Sequence, residues 1–168
     1  MIKANLKEYE DADYKDLISH IDGLQKHVIE IDPLHRETAS PGYAEKYSDS
    51  LLKAIKEKEG KIYFAEIDGK SVGFIAGTIQ QENYGSTMEV IPAKSAWVRE
   101  LYVDKNYRGK GIGTLLMDIL EDYFNTKGCT IVLLNMFAPD IETHEFYKSK
   151  GYVDRGITML KDINPKIR

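Results

Sequence analysis

Three glycines at alternate positions, Gly109, Gly111 and Gly113, stand beside two cations, Arg108 and Lys110, in the stretch Val103-Asp104-Lys105-Asn106-Tyr107-Arg108-Gly109-Lys110-Gly111-Ile112-Gly113-Thr114. An apolar strand pattern precedes this stretch and a helical pattern follows it. Glycines at such a junction let the backbone turn sharply and leave its N–H groups uncovered by side chains. Those N–H groups, with the positive end of the helix dipole, make an anion site suited to a phosphate. The dinucleotide fingerprint G-x-G-x-x-G does not fit, because the third glycine falls one place early. The string G-x-x-x-x-G-K-[ST] does not occur in the chain. What remains is R-x-x-G-x-G between a strand and a helix, a pattern suited to a pyrophosphate. The competing reading is a tight strand-to-helix turn and nothing more.

The elements that must position this turn can be read from periodicity. Ile2 to Lys7 alternates weakly, as an edge strand would. Asp11 to Ile31 has helical spacing in Leu17, Ile21, Leu24, Val28 and Ile31. His20 and His27 lie seven apart on that helix without other ligands near them in sequence, a pair that reads as solvated or half-buried side chains ahead of a metal site. Asp32 to Tyr43 reads as a loop, Leu51 to Lys58 as a helix, and Lys61 to Ile67 as a strand. Asp68-Gly69 is a hairpin signal leading into a returning strand, Ser71 to Ile79. Gln81 to Lys94 is a polar excursion, and Ala96 to Val103 is the strand before the glycine turn. A helix follows over about Gly111 to Asn125, then a buried strand Ile131 to Phe137. A short helix runs from Asp140 to Lys150, with Asp140 as a plausible cap. Tyr152 to Leu160 is expected to add the last strand or strands. The order implies an α/β (α+β) fold: one domain over residues 1–168, with a mixed sheet of six to seven strands and helices on both faces. The strands at Trp97–Val103 and Ile131–Phe137 are expected to run parallel, because a helix crosses between them.

Composition narrows the function classes. The chain has 168 residues, a formal charge of −4 and a single cysteine, Cys129. The acidic balance argues against a nucleic-acid partner. One cysteine allows no internal disulfide, and the longest apolar run, Ile131 to Leu134, is far too short to span a bilayer. The expectation is a cytoplasmic protein with no membrane association, as a monomer or homodimer.

The segment Glu100-Leu101-Tyr102-Val103, then Tyr107-Arg108-Gly109-Lys110-Gly111-Ile112-Gly113, resembles the GNAT superfamily of N-acetyltransferases. Phe146-Tyr147-Lys148-Ser149-Lys150-Gly151-Tyr152 resembles that family's F-Y-x-x-x-G-F/Y segment, and the two occur in the family's order and separation. The resemblance spans about residues 96 to 155. It implies acetyl-CoA as co-substrate, no metal, and an amine as acceptor. By the same resemblance the turn from Arg108 to Thr114 (Arg108, Gly109, Lys110, Gly111, Ile112, Gly113, Thr114) takes the pyrophosphate. Leu101, Tyr102 and Val103 would border the pantetheine arm, with Leu101 and Val103 bonding it through their main chains. Asp140 falls where many members carry an asparagine. A carboxylate cannot donate the amide N–H, so a helix cap is the equal alternative there. Ser149 replaces a lysine common in the family.

The resemblance implies transfer to nitrogen, which needs a neutral amine and a protonated leaving sulfur. An alkyl ammonium near pKa 10 costs about 4 kcal/mol to neutralise at pH 7. Tyr147 is placed by the motif as the acid; its bland reading is a core tyrosine beside Phe146. Glu100 is the candidate base, on the opposite strand face from Leu101 and Val103; its bland reading is an exposed charge on a strand. His144, one turn before Tyr147, is a candidate relay or an exposed helix histidine. Trp97 and Cys129 read as core. The acceptor is expected between Asp32–Ala44 and Gln81–Lys94, whose acids and tyrosines (Glu37, Tyr43, Glu82, Tyr84, Glu89) lean toward a small cationic amine such as a polyamine, an aminoglycoside or an amino-acid derivative. Protein lysines or N-termini, and a non-catalytic acyl-CoA-binding module, are the alternatives.

Overall fold

The structure is a computed structural model and describes residues 4–80, 91, 93–161 and 163. Five strands form one sheet in the order β1-β2-β3-β4-β5: β1 (Asn5–Glu8), β2 (Lys61–Ile67), β3 (Lys70–Gln80), β4 (Ser95–Val103) and β5 (Ile131–Leu134). The first four pair antiparallel, and β5 joins β4 in parallel, as the intervening helix demands.

Four α-helices cover the two faces. On one lie α1 (Tyr14–Ile31) and α2 (Tyr43–Glu57). They bury Leu17, Ile21, Ala44 and Leu51 against Ile62, Phe64, Phe74 and Ala76 of the sheet. On the other face lies α3 (Ile112–Thr126), whose Ile112, Leu116, Met117, Leu120 and Phe124 pack on Val72, Ile75, Ile79, Ala96 and Val98. Tyr147 of α4 (Ile141–Ser149) belongs to that second core, as does Cys129.

Several expectations are corrected. α2 begins at Tyr43, eight residues ahead of the expected Leu51. Its first two turns bury only Ala44 and Ser48, small residues that give little apolar periodicity. β5 stops at Leu134 because β4 offers it partners only from Ser95 to Val98. No strand forms over residues 152–161. Val153, Ile157 and Met159 stand more than 80% exposed there, so an alternating pattern without a neighbouring edge does not become a strand. The sheet therefore has five strands among the described residues, against the six or seven expected. The expected excursion over Gln81–Lys94, with Glu82, Tyr84 and Glu89, lies almost wholly outside the described residues.

Candidate active site

β4 and β5 are paired for four residues and then part. From Glu100 to Val103, β4 keeps β3 on one edge and has no strand partner on the other among the described residues. The divergence opens a cleft of about 660 Å³, lined by β4, α1, α2, the glycine turn, Asn135 to Phe137 and α4. A free strand edge offers main-chain donors and acceptors to an extended ligand.

The glycine turn closes one end. Gly109 and Gly111 have φ of +71° and +83°, the left-handed region that glycine enters without strain. Gly111 is the N-cap of α3, and no side chain caps that helix. The first-turn N–H groups of α3 therefore lack an intrahelical partner, and Gly111, Ile112, Gly113 and Thr114 all line the cleft. A Cβ at Gly109 or Gly111 would meet no protein atom within 4 Å, so the space above both is open. Gly113 has another role: a Cβ there would sit 3.4 Å from Phe146, so this glycine lets α4 approach the start of α3.

The two cations of the turn part company. Arg108 lines the cleft, donates from Nε to the Val103 carbonyl at 3.0 Å and lies over the Tyr102 ring. Lys110 does not line it: the left-handed glycines on either side turn it outward, and its Nζ donates to the Asn106 carbonyl at 2.7 Å. Leu101 and Val103 face the α3 core while Tyr102 faces α1, as alternation requires.

A β-bulge decides where Glu100 points. Ala76 pairs with Glu100 and Gly77 with Val98, so Arg99 is one residue too many on β4. Val98 lies in the α3 core; without the bulge, strict alternation would send Glu100 there as well. With it, Glu100 emerges on the α1/α2 side, where the Tyr47 hydroxyl donates a hydrogen bond to its carboxylate. Glu100 is thus an enclosed carboxyl, not an exposed strand charge. Burial pushes its pKa up to about 7, against the opposing pull of the Tyr47 hydrogen bond and the Arg99 cation. Tyr47 stacks on Tyr43 with ring centroids 5.6 Å apart, and the Tyr43 hydroxyl donates to Gln25 at 3.2 Å.

Tyr147 reaches the cleft from the opposite face. Its ring is 7% exposed, wedged between Phe146 and Tyr152. Burial raises its pKa well above the ordinary tyrosine value, with the Glu100 and Asp140 carboxylates adding to the effect. The phenol is therefore protonated at neutral pH, and it bonds to no described residue although the ring lines the cleft. The two carboxylate oxygens of Asp140 are both engaged: Oδ1 accepts from the Thr143 N–H at 3.1 Å, capping α4, and Oδ2 lies 2.9 Å from His27 Nε2. The cap reading holds, while Asp140 also lines the cleft.

The remaining candidates separate. His144 does not line the cleft and pairs with Asp154. His20 is buried against Ser71 at 2.7 Å, so the two α1 histidines serve different partners. Among the described residues there is no group of three or more side chains able to hold a metal. Gln25, His27, Tyr47 and Arg99 were not legible as site residues; the i,i+4 spacing of Tyr43, Tyr47 and Leu51 was the one signal that would have extended α2 over the cleft.

Comparison with known proteins gives this geometry its family. Residues 28–152 match the family model described as the acetyltransferase (GNAT) family. The chain belongs to that family. The family is one of acyltransferases, and the match covers most of the chain. An uncharacterized N-acetyltransferase of Methanocaldococcus jannaschii is 36% identical over 94 residues, which are 55% of this chain and 53% of the relative. N-acetylaspartate synthetase of Xenopus tropicalis is 27% identical over 103 residues, 61% of this chain and 34% of the relative. The chain thus spans about half, or less, of the length of these curated relatives. An aminoglycoside acetyltransferase from an uncultured soil metagenomic sample, solved in complex with sisomicin, superposes with a TM-score of 0.66. The alignment covers 95% of this chain and 96% of that one at 18% identity, which speaks to the fold. The GNAT fold here is a mixed α/β arrangement, and no helix among the described residues is long and apolar enough to cross a membrane.

Proposed function

We propose that this GNAT protein uses acetyl-CoA to acetylate the primary amine of a small molecule by direct transfer. A polyamine, an aminoglycoside and an amino-acid derivative are the acceptor classes, and the cytoplasm is the expected location. The observation that carries the reading is the cleft between the splayed β4 and β5. It joins an uncapped helix start, a free strand edge, an enclosed carboxyl and a protonated phenol in one continuous space.

The residues present suit acetyl-CoA. The open space above Gly109 and Gly111 is what a pyrophosphate needs to reach backbone N–H groups, and a Cβ would fill it. The bound thioester supplies the acetyl group and a sulfur leaving group. Glu100, with a pKa near 7, accepts the ammonium proton directly or through water, recovering part of the cost of neutralising the amine. Unpaired backbone N–H groups on the free edge of β4 polarise the carbonyl. Tyr147 donates its proton to the sulfur as the bond breaks. With both proton-transfer groups facing the cleft, a purely acyl-CoA-binding role leaves their placement unexplained.

The deciding experiment is a CoA-release assay with acetyl-CoA and a panel of polyamines, aminoglycosides, amino acids and peptides. Amine-dependent CoA release supports the proposal; a chain that binds no acetyl-CoA removes its basis. A second test addresses the turn. Gly111→Val is expected to abolish measurable acetyl-CoA binding in calorimetry, because the side chain enters the space that the pyrophosphate needs. At φ +83° it also strains the backbone by about 1–2 kcal/mol, so a lowered but cooperative melting transition accompanies the loss. Normal acetyl-CoA affinity in the folded variant rules the turn out as the site.

A further inference from the structure

Arg99 and Glu100 are consecutive in β4, and consecutive residues of a regular strand point to opposite faces. Both nevertheless line the same cleft. The bulge is the cause, since Arg99 is the residue without a partner in β3. Arg99 is exposed, and it forms no hydrogen bond, ion pair or ring contact with any described residue. Its charge is felt on the α2 side of the cleft, where it acts on both Tyr47 and Glu100. The side chains lining the cleft from α1 and α2 are otherwise neutral or apolar, apart from His27, which is held by Asp140. Arg108, the other arginine of the cleft, is drawn back to the Val103 carbonyl. A bidentate donor fork with no acceptor among the described residues thus stands next to the carboxyl proposed to receive the amine proton.

We propose that Arg99 sets acceptor specificity by receiving an anionic group, a carboxylate or a phosphate, carried a few bonds from the amine presented to Glu100. The inference rests on the reading of Glu100 and the cleft above, and it narrows the acceptor from small amines in general to amines bearing an acid. Guanidinium matches carboxylate and phosphate oxygens with two parallel hydrogen bonds, which an alcohol or a second ammonium cannot accept. A polyamine or aminoglycoside would bring a like charge to Arg99 and leave the fork unpaired. The bulge gives the pairing its geometry: one extra residue puts the anion's counter-charge and the proton acceptor side by side.

The test compares matched probes at saturating acetyl-CoA: glycine, alanine and aspartate against their α-amides, glucosamine 6-phosphate against glucosamine, and spermidine. Preference for the acid-bearing member is expected in the wild-type protein. The preferred pair tells carboxylate from phosphate. Arg99→Gln is expected to lower the kcat/KM ratio of that pair by about 10- to 100-fold, chiefly through KM, the span of a lost hydrogen bond to a charged group. Arg99→Lys should restore part of it. Arg99 also holds the Glu100 pKa down, so removing it alters every amine; taking the ratio within a pair cancels that effect, and comparing the ratio between the wild type and Arg99→Gln cancels the difference in amine basicity between the two members. An unchanged ratio in Arg99→Gln overturns the proposal, as does preference for spermidine or for the neutral members. In those cases amine acetylation itself stands. No turnover of any acid-bearing amine also overturns it, and if calorimetry then finds no acetyl-CoA binding, the proposed function fails with it.

Discussion

Tyr147→Phe is expected to lower kcat by about 10²–10⁴-fold, the span for a lost general acid, with acetyl-CoA affinity little changed. A thioester sulfur accepts hydrogen bonds poorly before the bond breaks and gains charge only as it does, so the phenol acts chiefly in the transition state. The structure sharpens the contrast with a purely structural tyrosine. The hydroxyl bonds to no described residue, so its removal deprives no buried partner, and the Phe ring keeps its contacts with Phe146 and Tyr152. The melting temperature should therefore stay near that of the wild type. Measured on a good acceptor, a large fall in kcat with unaltered melting identifies the acid. Normal turnover means that water or another group protonates the sulfur.

Glu100→Gln is expected to remove the base and to alter stability in a pH-dependent way. Glutamine can still accept the Tyr47 hydroxyl, so the local packing survives while proton acceptance is lost. A fall in kcat of about 10²-fold or more follows for a lost general base. In the wild type, kcat/KM should decline below pH 7 as the carboxyl becomes protonated, and this limb should vanish in the variant. The linkage has a definite sign. The folded-state pKa, about 7, lies above the ordinary 4.5, so the folded protein holds this proton more tightly than the unfolded chain. The carboxyl therefore costs no stability below pH 4.5, costs more as pH rises from 4.5 to 7, and costs a constant amount above that, roughly 3 kcal/mol at 1.36 per pKa unit. Glu100→Gln should thus melt higher than the wild type at pH 8 and alike at pH 4.5. Equal melting at both values shows that Glu100 is solvated, and an unchanged acid limb shows that another group accepts the proton.

The sequence by itself determined the parts that depend on local chemistry. Gly109 and Gly111 are readable because only glycine adopts their positive φ cheaply, and the strand before them and helix after them have unambiguous periods. The parallel pairing of β4 and β5 follows from the helix between them, since a parallel connection must cross the sheet. The pairing of Tyr147 with this turn came from a family motif, not from periodicity, which made the same residue a core tyrosine. Both descriptions hold, because its ring is buried while it lines the cleft.

Tertiary structure decided the rest. Strand alternation relates Glu100 to Leu101 and Val103, but only pairing with β3 reveals the extra residue at Arg99 that carries Glu100 out of the α3 core. A bulge is a mismatch between two strands 20 or more residues apart, and one strand's sequence does not display it. The same mismatch places Arg99 in the cleft. Lys110, adjacent to Arg108 in the turn and equally basic, faces away because the glycines around it reverse the backbone. The expected strands in Tyr152–Leu160 fail for the related reason that a strand needs a neighbouring edge, and edges belong to the assembled sheet. The length of β5 was decided likewise: Met136 and Phe137 resume the apolar pattern past Asn135, but β4 turns away after Val98, and that loss of a partner is what opens the cleft.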